Sequence, residues 1–142
     1  MNWLDRVARI CVTSSVCVAL GAACSSHPTA PDQVPLGQSF ELRAGSSVTV
    51  EGGLTIAFTG VKSDSRCPMD ALCVWAGDAI VAVSLSQSGG DRADRELHTA
   101  STGSEASYRA YSVKLVALAP YPRSDRPIRP RDYAATLAIT TR

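Results

Sequence analysis

The chain has 142 residues and nearly balanced charges, with 14 Lys and Arg against 13 Asp and Glu. Setting aside Asp5, Arg6 and Arg9 with the N-terminal segment described next leaves 12 charges of each sign. A neutral domain has few spare basic side chains to neutralise phosphates, which argues against nucleic acid as a partner and against tight docking on anionic lipid. The length leaves room for one domain.

The N-terminal segment has the three regions of a secretory signal. Arg6 and Arg9 precede an apolar stretch over residues 10–20, and small residues follow at 21–23. That order is typical of a signal peptide, and the apolar stretch is shorter than the roughly 20 residues a membrane-spanning helix needs. We therefore predict a signal peptide over residues 1–23, a polar tether over 24–35, and a single domain over 36–142.

The signal segment ends in Leu-Gly-Ala-Ala-Cys at residues 20–24. This run resembles the lipobox of bacterial lipoproteins, which implies acylation of Cys24 and a lipid anchor in a membrane. Gly21 stands where that family usually has Leu, so simple cleavage after Ala23 is the competing interpretation. By analogy with other lipoproteins, Ser25 favours the outer membrane, with the domain facing the periplasm; an unacylated chain would be periplasmic or secreted.

Beyond the tether, apolar and polar residues alternate with a period of two, which indicates half-buried antiparallel strands. The alternation is visible over 40–43, 48–50 and 54–58. Gly52 and Gly53 separate the second and third of these runs. The sequence therefore predicts a β-hairpin with its tight turn at the two glycines.

The middle of the chain is predicted as a loop, a strand and a polar region. Residues 62–73 are rich in turn-forming residues and are expected to form a surface loop. A strand is expected over 74–86, with Gly77 marking a bulge or a close approach of two backbones. A turn at 88–91, a polar segment and a loop over 101–107 follow.

The last third contains two more strands. In the run over 113–118 apolar residues occupy both alternating sets, which predicts a central strand covered on both faces. Residues 122–130 are rich in Pro and are expected to be extended, because Pro cannot donate to a ladder. A final strand is expected over 133–140. The sequence thus predicts an all-β fold, an antiparallel β-sandwich or small barrel of about six to eight strands.

Loss of the leader leaves Cys24, Cys67 and Cys73. In an oxidising compartment a disulfide between Cys67 and Cys73 is the simplest pairing, with Cys24 consumed by the lipid. Trp75 would share a strand face with Cys73 and pack on the bridge. The alternative is a metal-binding or redox protein using Cys67, Cys73, Met69 and His98. The sequence lacks the two pairs of closely spaced ligands that are typical of zinc sites.

The loop around the cysteines is the only stretch dense in chemically versatile residues, and it provides a candidate binding loop: Asp64, Arg66, Met69, Asp70 and Trp75. No cofactor or metal site is predicted. The nucleophile-elbow and zinc-protease motifs are absent, and the mature chain retains only His27 and His98, so no enzyme is predicted. A loop-presenting protease inhibitor is a further alternative.

Four runs carry a resemblance: DSRCP at 64–68, CVWAG at 73–77, LAPYP at 118–122 and PRDYAATL at 130–137. Together they resemble a group of uncharacterised exported bacterial proteins over residues 36–139. The resemblance implies export and a single domain, and it implies no activity. We therefore expect an exported, lipid-anchored cell-envelope protein, a non-enzymatic binding or structural module whose partner is an envelope protein or polymer, of unknown oligomeric state.

Overall fold

The structure is a computed structural model, and it describes residues 33–142. The predicted signal peptide, Cys24 and most of the predicted tether lie outside the described residues. Eight strands follow in chain order: β1 (Ser39–Arg43), β2 (Ser47–Thr49), β3 (Leu54–Asp64), β4 (Ala79–Gln87), β5 (Ala93–His98), β6 (Glu105–Tyr108), β7 (Tyr111–Ala119) and β8 (Ala134–Thr141). A short 3-10 helix, Pro130–Asp132, precedes β8.

The strands form two four-stranded sheets, one in the order β1-β8-β7-β6 and the other in the order β2-β3-β4-β5. All strand pairs within the sheets are antiparallel. The sheets remain open rather than closing into a barrel. The all-β prediction is confirmed.

The core lies between the two sheets. Alternate residues of each strand point inward, as the period-two pattern predicted, and bury their side chains against the facing sheet. Apart from Val50, the largest completely buried side chains come from five strands, and Phe58, Leu85, Leu97, Val113 and Leu137 represent them.

The predicted glycine hairpin is confirmed. β2 pairs with β3 in a register that sets Val48 opposite Ile56, and Gly52 and Gly53 have φ angles of +85° and +81°. Gly52 is required for a second reason, because a Cβ there would lie 2.3 Å from the Tyr111 hydroxyl oxygen. Only glycine combines that backbone conformation with that lack of a side chain.

The prediction that β7 is covered on both faces is wrong, although β7 is central in its sheet. The register against β8 shifts between Leu115 and Ala117, so Val116 is an extra residue in a β-bulge. The bulge reverses the alternation: Val116 is 53% exposed, whereas Leu118, two residues further, is 5% exposed. The run of successive apolar residues around Val116 therefore reflects a β-bulge and not burial of both faces of the strand.

Several element boundaries differ from the predictions. β3 continues to Asp64, so the loop starts later than residue 62, and β4 starts at Ala79 rather than at 74. Strands β5 and β6 occupy segments predicted to be polar or looped. Their outward positions carry charged or small polar residues, and only Leu97 and Tyr108 are buried, so the apolar alternation was too weak to detect.

The sandwich has two ends with different contents. At the loop end, β3 passes into β4 and β7 passes toward β8, since Asp64 pairs with Ala79 and Ala119 with Ala134. The chain enters at the opposite end, the entry end, where Val34 forms a bridge to Val50. Val34 also packs against the core, so residues at the end of the predicted tether contact the domain.

Candidate functional site

The disulfide loop, residues 67–77, projects from the loop end. Cys67 and Cys73 are joined, with their Cα atoms 5.9 Å apart, so the predicted pairing is present. Four large apolar side chains of the loop are exposed to solvent: Met69 is 67%, Leu72 106%, Val74 91% and Trp75 82% exposed. Trp75 therefore does not lie in a strand packed on the bridge, because the chain from 73 to 78 is irregular.

Backbone hydrogen bonds fix the base of the loop. Ser65 N–H donates to the Asp78 carbonyl and Cys67 N–H to the Ala76 carbonyl, both at 2.8 Å. Gly77 permits this pairing, since its φ is +73° and a Cβ would lie 1.8 Å from the Ser65 carbonyl oxygen. The close backbone approach predicted at this glycine is confirmed.

The tip of the loop is tied to the segment that follows β7. Met69 N–H donates to the Pro122 carbonyl at 3.0 Å. The Asp70 carboxylate accepts hydrogen bonds from Ser124 N–H at 2.9 Å and from the Ser124 hydroxyl at 2.7 Å, and these bonds lower the pKa of Asp70. Closed by a disulfide and held at base and tip, the loop presents its apolar side chains in one arrangement.

Exposed large apolar side chains concentrate at the loop end. Within residues 33–142 there are six of them, and all belong to the disulfide loop or to the end of β7 and the residues just after it: Met69, Leu72, Val74, Trp75, Val116 and Tyr121. We call these six side chains the apolar surface. Large apolar side chains exposed together at one end of a folded domain are typical of a contact site for another molecule.

A buried ion pair connects the loop to both sheets. The Arg66 side chain donates to the two Asp64 carboxylate oxygens at 2.8 and 2.7 Å, to the Leu118 carbonyl at 2.6 Å and to the Pro120 carbonyl at 2.9 Å. The Tyr133 hydroxyl donates to Asp64 at 3.0 Å. Arg66 is only 7% exposed, so it holds the loop end together from the inside.

The pKa values of this cluster follow from its contacts. Burial by itself raises the pKa of Asp64, but the hydrogen bonds and positive charge of Arg66, together with the Tyr133 bond, outweigh burial and lower that pKa. Burial and the Asp64 carboxylate raise the pKa of Tyr133 to about 12. The cluster is therefore ionised as a salt bridge at neutral pH, with a neutral tyrosine beside it.

A second polar cluster lies at the same end, around Asp78. Its carboxylate contacts His98 Nδ1 at 2.5 Å and accepts hydrogen bonds from the Thr99 hydroxyl and from Ala100 N–H, each at 2.9 Å. Burial raises the pKa of Asp78, but these partners outweigh it and bring the pKa down to about 2. The cluster fixes the chain as it leaves β5.

A groove of about 550 Å³ runs beside the disulfide loop. One wall consists of residues 115–118 of β7, and the other of Ala76, Gly77 and residues 99–101. Tyr121 closes one side, and its ring stacks over the Arg66 guanidinium, 5.0 Å from the ring centroid. The volume is within the range of small-ligand and peptide clefts.

The side chains considered as metal ligands in the alternative interpretation do not form a cluster. The sulfur atoms of Cys67 and Cys73 bond to each other, and His98 Nδ1 faces Asp78. Between residues 33 and 142, no cluster of three or more His, Cys, Asp and Glu side chains is placed to hold a metal ion. In the same range, no helix has the length and hydrophobicity needed to cross a bilayer.

The predicted binding-loop residues divide into two groups. Met69 and Trp75 belong to the apolar surface. Asp64, Arg66 and Asp70 form hydrogen bonds within the domain instead. Leu72, Val74, Val116 and Tyr121 are exposed as well and were not among the predicted binding residues. Leu72 was expected in the surface loop, Val74 at the start of a strand, and Val116 in a strand covered on both faces.

Comparison of the chain with protein-family models, with curated proteins and with solved structures finds no match.

Proposed function

We propose that this protein is an exported, lipid-anchored and non-enzymatic binding module of the cell envelope, which docks a partner protein through the apolar surface. The observation that carries the proposal is that, within residues 33–142, the exposed large apolar side chains are concentrated at one end. Water contact with these groups is unfavourable, and burying one fully is worth about 1.5–3 kcal/mol. Their fixed arrangement reduces the entropy lost on docking.

The surroundings of the apolar surface have the composition of a protein–protein interface. Asp70, Arg123 and Asp125 lie in or beside the segments that carry it, and all three are exposed. An apolar centre rich in Trp, Tyr and Met within a polar rim is typical of such interfaces. A hydrated polymer offers fewer apolar groups to bury, so we propose a protein as the partner.

The position of the entry end supports a partner outside the anchoring membrane. β3 contains 11 residues, and at about 3.3 Å per residue it spans about 36 Å between the two ends. Residues 25–33 would reach about 30 Å when fully extended. A lipid on Cys24 would therefore attach the domain by its entry end and leave the apolar surface facing away from that bilayer.

Two charges placed in the apolar surface test the proposed docking. A photo-crosslinking residue at Tyr121 is expected to trap one defined protein in intact cells, and the Leu72→Lys/Trp75→Lys variant is expected to lower the yield at least 100-fold, since about 3 kcal/mol of burial is lost. The matched control is Gln38→Lys/Ser88→Lys, which adds the same charges on exposed residues of the entry end. Equal crosslinking by both variants would contradict the proposal.

Anchoring is tested separately. Cys24→Ala is expected to release the protein from the membrane fraction, and the intact mass of the wild-type protein should show a chain that begins at Cys24 and carries acyl groups. A wild-type mass equal to the unmodified chain from Cys24 would reject acylation while leaving the docking proposal in place.

Protease inhibition is a second candidate, favoured by the full exposure of Leu72 in a disulfide-closed loop. The loop turns at its tip, where Ala71 N–H donates to the Pro68 carbonyl at 3.1 Å, whereas protease clefts bind extended segments. We therefore rank it below partner docking. Inhibition of any member of a protease panel by the wild type, abolished in Leu72→Lys, would reverse that order.

A further inference from the structure

The wall of the groove formed by β7 is an open sheet edge. β6 pairs with β7 only as far as Glu105 opposite Lys114, and one further bond runs from Leu115 N–H to the Ser104 carbonyl at 2.7 Å. β7 continues to Ala119. Its last four residues therefore have β8 on one side and no strand on the other within the described part of the chain.

The ladder geometry shows which backbone groups face the groove. Alternate residues of a central antiparallel strand bond to opposite neighbours. The Ile139 carbonyl accepts from Gly37 on the β1 side, so Ala135, four residues earlier, also bonds toward β1. Leu118 lies opposite Ala135, and its N–H and carbonyl therefore point away from β8.

The Leu118 carbonyl is occupied by Arg66 at 2.6 Å, but its N–H has no backbone partner among residues 33–142. The Leu115 carbonyl points to the same side, because Leu115 N–H does, and it likewise has no backbone partner in that range. The edge thus offers one acceptor and one donor beside a groove. Because the Leu118 side chain is 5% exposed, it is the backbone of Leu118 that lines the wall.

We propose that the groove binds an extended segment of the partner protein, which adds as a short strand along β7 between Leu115 and Leu118. The segment would donate to the Leu115 carbonyl and accept from Leu118 N–H, while its apolar side chains contact Val116 and Tyr121. Strand addition draws affinity from main-chain hydrogen bonds and selectivity from side-chain pockets. The inference rests on the proposed function in taking the loop end as the binding end.

The protein's own N-terminal segment is not the occupant. Val34 is fixed to Val50 at the entry end, so only the nine residues 24–32 that remain after the predicted cleavage could fold back along β7. They include Pro28 and Pro31, which cannot donate to a ladder. We therefore take the added strand to come from another molecule.

The test uses a pool of acetylated, amidated hexapeptides in which Val or Ile alternates with Thr or Lys. We expect members of the pool to slow hydrogen exchange of the Leu118 amide at least tenfold, measured by NMR on the whole mature domain. The same pool carrying N-methyl groups at alternate residues retains its side chains but loses its donors, and it should not slow this exchange. Val116→Lys should weaken binding about tenfold, the equivalent of about 1.4 kcal/mol of lost apolar contact.

Three results would overturn the inference: no member of the pool binds at millimolar concentration, the Leu118 amide exchanges at its original rate in the complex, or N-methylation leaves the affinity unchanged. The Leu72→Lys/Trp75→Lys variant should still bind the peptides, because neither residue lines the groove. If no partner is crosslinked in wild-type cells but the peptides bind along β7, only the proposed function is refuted. If a partner is crosslinked but no peptide binds along β7, only the strand addition is refuted.

Discussion

Arg66→Met is the substitution expected to damage the domain most among its charged residues. It keeps an unbranched apolar stem and removes four hydrogen bonds, two to the Asp64 carboxylate and one each to the carbonyls of Leu118 and Pro120. The Asp64 side chain is 10% exposed, so water cannot replace the lost guanidinium. Removing one member of a buried ion pair costs about 3–5 kcal/mol, a large part of the roughly 5–15 kcal/mol by which a domain is stable.

Urea unfolding at pH 7 measures this loss, with Arg92→Met as the matched control. Arg92 pairs with Asp94 at 3.4 Å, but those side chains are 66% and 77% exposed, and such pairs contribute about 1 kcal/mol or less. In the double-mutant cycle with Asp64→Asn, the two changes should cost less together than their sum. An Arg66→Met loss no larger than that of Arg92→Met would refute the assignment of Arg66 as the internal anchor of the loop end.

The same variant should change the dependence of stability on pH. In the wild type the pKa of Asp64 is lowered, so its contribution is fully present above the unfolded-state pKa near 4 and is lost as the pH falls through the folded-state value. Without Arg66, burial raises the pKa of Asp64 instead, so protonating Asp64 removes the free-energy cost of burying an unpaired carboxylate. The difference in unfolding free energy between wild type and variant should therefore shrink below about pH 4.

Asp78→Asn should lower the unfolding free energy at pH 7 by up to about 2 kcal/mol. The stabilisation from this carboxylate is complete above its unfolded-state pKa and disappears as the pH falls through about 2, so the variant should lose less stability than the wild type between about pH 4 and pH 2. Acid titration of the unfolding midpoint measures both effects. Cys67→Ser/Cys73→Ser should cost about 2 kcal/mol for so short a loop, measured by thermal unfolding, and an unchanged midpoint would contradict it. Gly77→Ala should destabilise far more than Gly45→Ala in the same assay: both have positive φ, but a Cβ at Gly77 meets a backbone carbonyl at 1.8 Å whereas Gly45 has open space.

The sequence was informative wherever one face of a strand is buried and the other is polar. The hairpin at Gly52 and Gly53 and the final strand could be predicted because burial there follows the period of two. The same rule failed at Val116, where one inserted residue reverses the alternation. A bulge leaves no reliable mark in a run of apolar residues, so it becomes visible only in the pairing with β8.

The candidate site was predicted only in part. The disulfide followed from the cysteine count and the expected oxidising compartment. The exposure of Val74 did not follow, because Val74 was expected to begin a buried strand. Leu72 was expected in the surface loop, but its spacing in the sequence did not mark it as part of a binding surface. Arg66 was predicted to belong to the binding loop, but it is buried. Its burial depends on Asp64 and on two carbonyls more than fifty residues away in the chain, which the local sequence does not reveal.

Both ends of the described chain lie at the same pole of the sandwich. Val34 is joined to Val50 there, and the C-terminal Arg142 N–H donates to the Ala110 carbonyl in the β6–β7 turn. A fluorescent protein, an affinity tag or a resin that is joined next to Val34 or Arg142 would therefore lie at the end opposite the disulfide loop. The domain thus lends itself to immobilisation for partner screening, with every copy displaying its six apolar side chains outward.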